Sequence, residues 1–248
     1  MKTFALLLTL VASTAAAQDT CPCPPPPPPP PSWTGSLGAG LALTGGNSDT
    51  ESYNLSFNAL YDRKQKNLFR ADGLYLHADA DGEAITNSSS LSLRDEYKVA
   101  ARVFLFGEVR YYRDTFKDID YLISPLVGVG VNVINEKETK LSFDVGVGGQ
   151  IEKDQLQPRT SDGAVSAGQR LRLRISDNAR LYEGANALWK MNDFGDALYR
   201  FEIGLSASIS KRMEMKLGFR DDYKTRPPRT TIKKNDTSIL ATIVFKIA

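Results

Sequence analysis

The chain has 248 residues, of which 42% are hydrophobic and 24% charged, and its formal net charge at pH 7 is +2. This composition suits an ordinary folded domain, and the small net charge gives no electrostatic reason to expect nucleic acid as a partner. The only histidine is His77 and the only cysteines are Cys21 and Cys23, so few residues are available for metal binding or for acid–base catalysis.

The first seventeen residues have the pattern of a secretory signal peptide. Lys2 provides the charged start, an apolar stretch runs over 4–12, and Ala15 and Ala17 form an AxA cleavage signal. A transmembrane anchor is the alternative, but the apolar run is shorter than the roughly 20 residues that a spanning helix requires. Polar residues immediately before Cys21 argue against lipid attachment there. The sequence therefore predicts that 1–17 is removed and that the secreted chain begins at Gln18.

A proline-rich arm is predicted over 18–32. Residues 24–31 are eight consecutive prolines, which favour an extended polyproline II rod with a rise of about 3.1 Å per residue. The arm is either a stiff spacer or a ligand for a periplasmic or cell-wall partner. Cys21 and Cys23 are separated only by Pro22, so a disulfide between them would be strained, and two thiols alone make a weak metal site.

Beyond Trp33 the chain alternates apolar and polar residues, which is typical of β-strands with one apolar face. The clearest case is 140–152, where Leu141, Phe143, Val145 and Val147 are interleaved with polar residues or glycine. Twelve such segments are predicted: 33–44, 50–62, 67–79, 86–99, 103–115, 120–134, 139–153, 165–176, 179–191, 197–210, 212–224 and 236–248.

The length of these segments distinguishes a membrane barrel from a soluble β-sandwich. Most exceed the 5 to 6 residues that are usual for globular strands, and they reach the roughly 9 to 11 residues that a tilted membrane strand needs. Short connections are predicted to alternate with longer ones, of which 154–164 and 225–235 are the longest. The expectation is an all-β, antiparallel transmembrane β-barrel of about twelve strands over 33–248, embedded in outer-membrane lipid.

In such a barrel the polar face of each strand lines the lumen. The predicted lumen charges are Arg94, Glu108, Arg110, Asp144, Arg170, Arg172, Arg174 and Lys216. The three arginines of 170–174 alternate along one strand and should form a column. This column either attracts anions, as charged rings do in pores, or is neutralised by carboxylates such as Asp144 and Glu152.

A family resemblance rests on several of these strands and turns. The string WTGSLGAGLALTGGNSDT at 33–50 resembles the opening of the salt-stress-induced outer-membrane protein family, also called domain of unknown function family 481. The likeness covers 33–248 and implies an outer-membrane barrel without a settled biochemical role, delivered by the barrel-assembly machinery. The last strand ends in Phe245, Lys246, Ile247 and Ala248 instead of an aromatic residue, so Phe245 is the candidate assembly signal. The matching residues are Trp33, Gly35, Thr44, Gly46, Asn47, Ser48, Asp114, Phe116 and Asp120.

Three functions remain open at this point. The first is a barrel without catalytic chemistry, metal or cofactor, acting either as a narrow solute channel or as a closed, stress-related envelope component. The second is an outer-membrane hydrolase in which His77 and Asp79 act with the acidic pair Asp221 and Asp222. The third is a soluble periplasmic β-barrel that binds an apolar ligand inside.

Overall fold

The computed structural model describes residues 33–45, 50–62, 66–80, 83–155, 158–228 and 231–247. The predicted signal peptide and proline-rich arm lie outside these residues. The strands are β1 (Trp33–Gly45), β2 (Thr50–Asp62), β3 (Asn67–Ala80), β4 (Glu83–Lys98), β5 (Val103–Asp114), β6 (Ile119–Asn135), β7 (Thr139–Asp154), β8 (Thr160–Arg174), β9 (Ala179–Lys190), β10 (Asp193–Ser208), β11 (Met213–Lys224) and β12 (Asn235–Lys246). A 3₁₀ turn, Thr115–Lys117, follows β5. None of the described residues forms a helix that is long and apolar enough to cross a bilayer.

The twelve strands close into one antiparallel barrel. Each strand pairs with its neighbours in sequence, and β12 pairs with β1 from Ser36 opposite Lys246 to Gly45 opposite Thr237. Closure lets every strand satisfy its backbone hydrogen bonds along both sides, which is what a sheet needs if no water is available to it. The predicted fold class and strand number are confirmed.

The alternation in the sequence separates the two faces of the wall. Outward side chains are apolar and exposed, as at Leu41 (72% exposed), Val127 (61%) and Leu217 (54%). Inward side chains include charged residues that are buried, such as Arg94 and Asp144. This is the reverse of a soluble β-barrel and matches the pattern of barrels that lie in lipid.

Aromatic residues form pairs on the outer face near both ends of the barrel. At the end where β1 begins and β12 ends, which we call the proximal end, Trp33 stacks on Tyr61 with ring centroids 4.5 Å apart. At the opposite, distal end, Tyr199 contacts Trp189 and Tyr223 at centroid distances of 5.9 and 6.2 Å. Aromatic girdles at two levels mark the boundaries of the apolar belt in membrane barrels.

Predicted and observed strand limits agree within two residues except at three distal ends. β4 begins at Glu83, β8 at Thr160 and β10 at Asp193, each earlier than predicted. The added residues do not continue the apolar–polar alternation on which the prediction relied, as in the Thr-Ser-Asp-Gly-Ala start of β8. The prediction of systematically longer distal connections is therefore wrong: 155–159 is short because β8 pairs up to Thr160 opposite Glu152, and only 225–234 is distinctly long.

Candidate functional site

The lumen contains a cavity of about 850 Å³ that residues from all twelve strands line. Its wall is mixed in character, with serines and asparagines from β1 and β2 on one side and charged residues from β3–β5 and β7–β11 on the other. The period-two geometry of the strands places these side chains, because every second residue of each strand points inward. This cavity is the candidate functional site.

Arg94 on β4 is at the centre of a charged cluster on one wall of the lumen. Its guanidinium group lies 2.9 Å from carboxylate oxygens of Glu96 and Glu108 and 3.1 Å from Asp144, and its side chain is only 4% exposed. Arg110 is a second partner of Glu108 at 2.9 Å. One buried guanidinium thus connects β4, β5 and β7 through three charge-assisted contacts.

The three arginines alternate along β8 as predicted, but their side chains have different surroundings. Arg170 joins the Arg94 cluster, 2.9 Å from Glu96 and 3.3 Å from Asp144. Arg172 lines the cavity, whereas Arg174 lies at the proximal turn, where it pairs with Glu138 and Asp177. The expectation that Glu152 neutralises these arginines is wrong, because Glu152 is eight residues further along β7 than Asp144 and lies near the distal end.

Glu152 instead belongs to a second cluster at the distal end. Lys224 on β11 lies 2.7 Å from Glu152, and Lys190 on β9 lies 2.9 Å from it. Asp196 on β10 pairs with both lysines, at 2.7 Å from Lys190 and 3.3 Å from Lys224. Two cations and two anions alternate here across the arc of wall from β7 to β11, and none of them lines the cavity.

Several contacts connect walls that lie far apart around the barrel. The guanidinium of Arg200 on β10 lies 4.9 Å from the ring centroid of Tyr112 on β5, five strands away in a ring of twelve. Arg110 on β5 reaches the side chain of Asn186 on β9 at 3.5 Å. Beyond the end of β5, Lys117 pairs with Asp236 at the start of β12. The distal half of the lumen is therefore narrowed by side chains that meet across it.

The lumen also has an apolar part that the sequence did not reveal. A buried cluster of inward residues joins β5 and β6 to β8–β10; its members are Phe104, Phe106, Tyr112, Ile119, Leu122, Leu126, Ala164, Leu188 and Leu198. In β5 and β6 apolar residues occur at both alternating positions, so the pattern alone does not show which of them point inward. The guanidinium of Arg94 lies 3.7 Å from the Phe106 ring centroid, which joins this cluster to the charged one.

The remaining predicted residues lie in several places. Lys216 lines the cavity. Asp114 is buried and accepts a hydrogen bond from Tyr112, and Asp120 lies 3.4 Å from Lys153 near the distal end. The Gly35 carbonyl accepts a backbone hydrogen bond from Ile247 N–H at 2.8 Å, and Trp33 belongs to the proximal aromatic pair. Gly46, Asn47 and Ser48, together with the side chains of Thr44 and Phe116, lie outside the described residues.

His77 lies on the outer face of the barrel. Its ring is 5.1 Å from that of Tyr53, and its Nδ1 atom is 3.2 Å from the Tyr75 hydroxyl. Asp222, by contrast, is buried inside and pairs with Arg200 and Arg220. Asp222 lies on the other side of the wall from His77, and β11 is four strands from β3 around the ring. The grouping of His77 and Asp79 with Asp221 and Asp222 that the hydrolase hypothesis needs is therefore not assembled. Among the described residues there is also no group of three or more His, Cys, Asp or Glu arranged to hold a metal ion.

A closed barrel with an apolar outer face and a charged lumen defines the class of porin-like outer-membrane β-barrels. The model of the family described as protein of unknown function DUF481 matches residues 37–247, and the chain belongs to this family. The predicted membership of domain of unknown function family 481 is thereby confirmed, whereas the link to salt stress stays a prediction. No curated protein sequence matches the chain significantly.

Solved structures share the fold at low sequence identity. The NanC porin aligns with a TM-score of 0.56 and 10% identity over 84% of this chain and 98% of its own. An outer-membrane channel from Pseudomonas putida F1 aligns with a TM-score of 0.52 and 11% identity, over 88% of this chain and 96% of its own. The translocator domain of the autotransporter NalP from Neisseria meningitidis aligns with a TM-score of 0.52 and 10% identity, over 87% of this chain and 88% of its own. At this identity the likeness shows the fold alone.

Proposed function

We propose that this protein resides in the outer membrane, forms a narrow passage for small hydrophilic solutes and performs no catalysis. The observation that carries the proposal is the cavity of about 850 Å³, polar and charged, inside a wall whose outer face is apolar. Burying charged side chains inside a barrel is costly unless they are paired or hydrated. A hydrated lumen gives the unpaired charges of this cavity a favourable environment.

The apolar outer face supports the membrane location. Side chains such as Leu41 and Val127 would each expose most of their surface to water in a soluble protein, and contiguous apolar surface of this kind is rare on soluble monomers. The aromatic pairs at both ends fit the two interfaces of a bilayer. These features also disfavour the soluble periplasmic barrel as an alternative.

The size of the barrel and its inner contacts support a narrow passage. Twelve strands enclose a lumen between that of eight-stranded barrels, which side chains fill, and that of open sixteen-stranded porins. Here the proximal part of the lumen holds the cavity, and the contact between Arg200 and Tyr112 narrows it towards the distal end. If Arg200 and Tyr112 stay in contact at all times, the barrel is closed. This contact therefore favours the second candidate, a closed envelope component.

Conductance across a planar lipid bilayer tests the proposal. Purified, folded protein should give small, discrete current steps. Arg200→Ala should give larger steps, because it removes the side chain that meets the opposite wall while Asp222 keeps Arg220 as a partner at 2.7 Å. The steps should grow by about twofold or more if this contact sets the narrowest point.

Arg226→Ala is the matched control, since Arg226 is an exposed arginine that pairs with Asp193 at the distal rim. Its conductance should equal that of the parent. If folded protein passes no current at any voltage, with or without Arg200, the channel proposal fails and the closed barrel replaces it.

A further inference from the structure

Cations outnumber carboxylates in the proximal part of the cavity. Arg172 on β8 lies directly opposite Lys140 on β7, and both side chains line the cavity. Arg180 on β9 stands opposite Arg174 in register. It is therefore two positions from Tyr182, the residue opposite Arg172, and lies on the same inner face. Like charges that face each other across neighbouring strands destabilise a sheet unless something neutralises them.

The nearby carboxylates do not supply that neutralisation. Glu214 lies 3.2 Å from Arg180 and 2.6 Å from Lys246, so one carboxylate is shared between two cations. Glu96 and Asp144 are engaged by Arg94 and Arg170.

Asp72 lies within electrostatic range of Arg172, but the Oδ1 atom of Asp72 accepts a hydrogen bond from Asn58 at 2.7 Å. In the part of the chain that the structure describes, no carboxylate is within ion-pair distance of Arg172, Lys140 or Lys216.

Tyr182 connects Arg172 to Lys216. It stands opposite Arg172 in register, and its ring leans across Gly204 and Gly218, whose missing side chains leave room for it. The Nζ atom of Lys216 lies 6.0 Å from the centre of this ring. The Tyr182 ring thus lies between Lys140 and Arg172 on one side and Lys216 on the other.

From this arrangement we infer that the proximal cavity is a binding site for a small multivalent oxyanion, with Arg172 as its principal ligand and Lys140, Arg180 and Lys216 around it. A planar guanidinium group binds carboxylate or phosphate oxygens in a bidentate manner, and the lysines add charge without fixing geometry. The inference rests on the proposed channel and names the class of solute that would dwell in it.

Calorimetric titration of the folded, detergent-solubilised protein with citrate at low ionic strength tests the inference. Citrate is the probe because it carries several carboxylates and fits a cavity of about 850 Å³. The parent protein should bind citrate, and Arg172→Gln should weaken binding by about tenfold or more, because the variant loses the charge and the paired N–H donors that bind a carboxylate. Arg172→Lys should weaken it less. Added salt should weaken binding in all variants.

Arg212→Gln is the matched control, because Arg212 lies exposed in the connection between β10 and β11 at the same end of the barrel. It should leave citrate affinity unchanged. Gel mobility before and after heating shows whether each variant is folded.

The outcomes separate this inference from the proposed channel. Protein that conducts but binds no citrate, or binds it equally well with Arg172→Gln, overturns the anion site and leaves the channel standing. Protein that binds citrate in an Arg172-dependent way but passes no current supports the site and rejects the channel.

Discussion

At the scale of the residue, Arg94 connects several parts of the inner wall. It touches carboxylates on its own strand, on β5 and on β7, and its guanidinium plane lies 3.7 Å from the centre of the Phe106 ring. A buried charge with good partners contributes little net stability compared with an apolar residue, but removing Arg94 leaves three buried carboxylates with one partner fewer each. The residue is therefore more sensitive to substitution than its contact energy suggests.

We predict that Arg94→Met lowers the stability of the folded barrel by about 3 to 5 kcal/mol, because Glu96, Glu108 and Asp144 lose their shared partner. Arg94→Lys should fall between the parent and the Met variant, since lysine keeps the charge but not the planar, multiply donating group. Urea unfolding of the detergent-solubilised protein, followed by tryptophan fluorescence, measures the effect. Arg102→Met, in the exposed connection between β4 and β5, is the control. An Arg94→Met variant as stable as the parent would contradict this account.

At the scale of the element, inward glycines on β6 and β7 make room for aromatic rings from β5. A Cβ atom on Gly128 would lie 2.6 Å from Phe106 Cε1, and one on Gly146 would lie 3.0 Å from Phe106 Cζ. Phe104 occupies the corresponding space above Gly130. The two rings thus occupy the space that side chains on these glycines would fill, close to the inner wall.

Gly130→Ala should destabilise the barrel by about 1 to 3 kcal/mol, because the added methyl group would overlap the Phe104 ring in a packed region. Gly107→Ala is a close control, since Gly107 is also a strand glycine but has no atom within 4 Å of the place that a Cβ would take. That variant should be neutral or slightly more stable than the parent. Both can be compared by their urea unfolding midpoints, and equal midpoints would show that the Phe104 ring moves aside without cost.

The strands themselves could be predicted from sequence far better than their inner contacts. Alternation fixed the number of strands and most of their limits, because each strand must present an apolar side chain to the outside at every second residue. The pairing of charges depends on how the closed sheet is staggered, and this brings Arg170 to Glu96, a residue 74 positions away in sequence. Glu152 does not neutralise the arginines of β8 because it lies eight residues beyond Asp144, at the distal end of β7. Phe104 and Phe106 could not be predicted as inward residues, because apolar residues occupy both alternating positions over 103–106, the first part of β5.

At the scale of the whole molecule, the barrel has its apolar surface outside and its charged surface inside. Refolding therefore requires a detergent or lipid phase that covers residues such as Leu41, Val127 and Leu217. The closed hydrogen-bonded wall has no unpaired strand within the described residues at which unfolding by heat could begin. Closed barrels of this kind unfold slowly, because many backbone hydrogen bonds must break together.

We predict that the protein fractionates with the outer membrane and that its mobility in a detergent gel changes on heating. Unheated protein should run as a compact form, since the twelve-strand wall resists detergent at room temperature, and boiled protein should run at the position of the unfolded chain. Val129→Arg places a charge on the outer face near the middle of β6 and should reduce the fraction of the compact form, at a cost of about 2 to 4 kcal/mol. Lys137→Glu, in the exposed connection between β6 and β7, should not. Recovery of the protein as a soluble monomer without detergent would contradict the membrane assignment, because the apolar outer face would then have to be in contact with water.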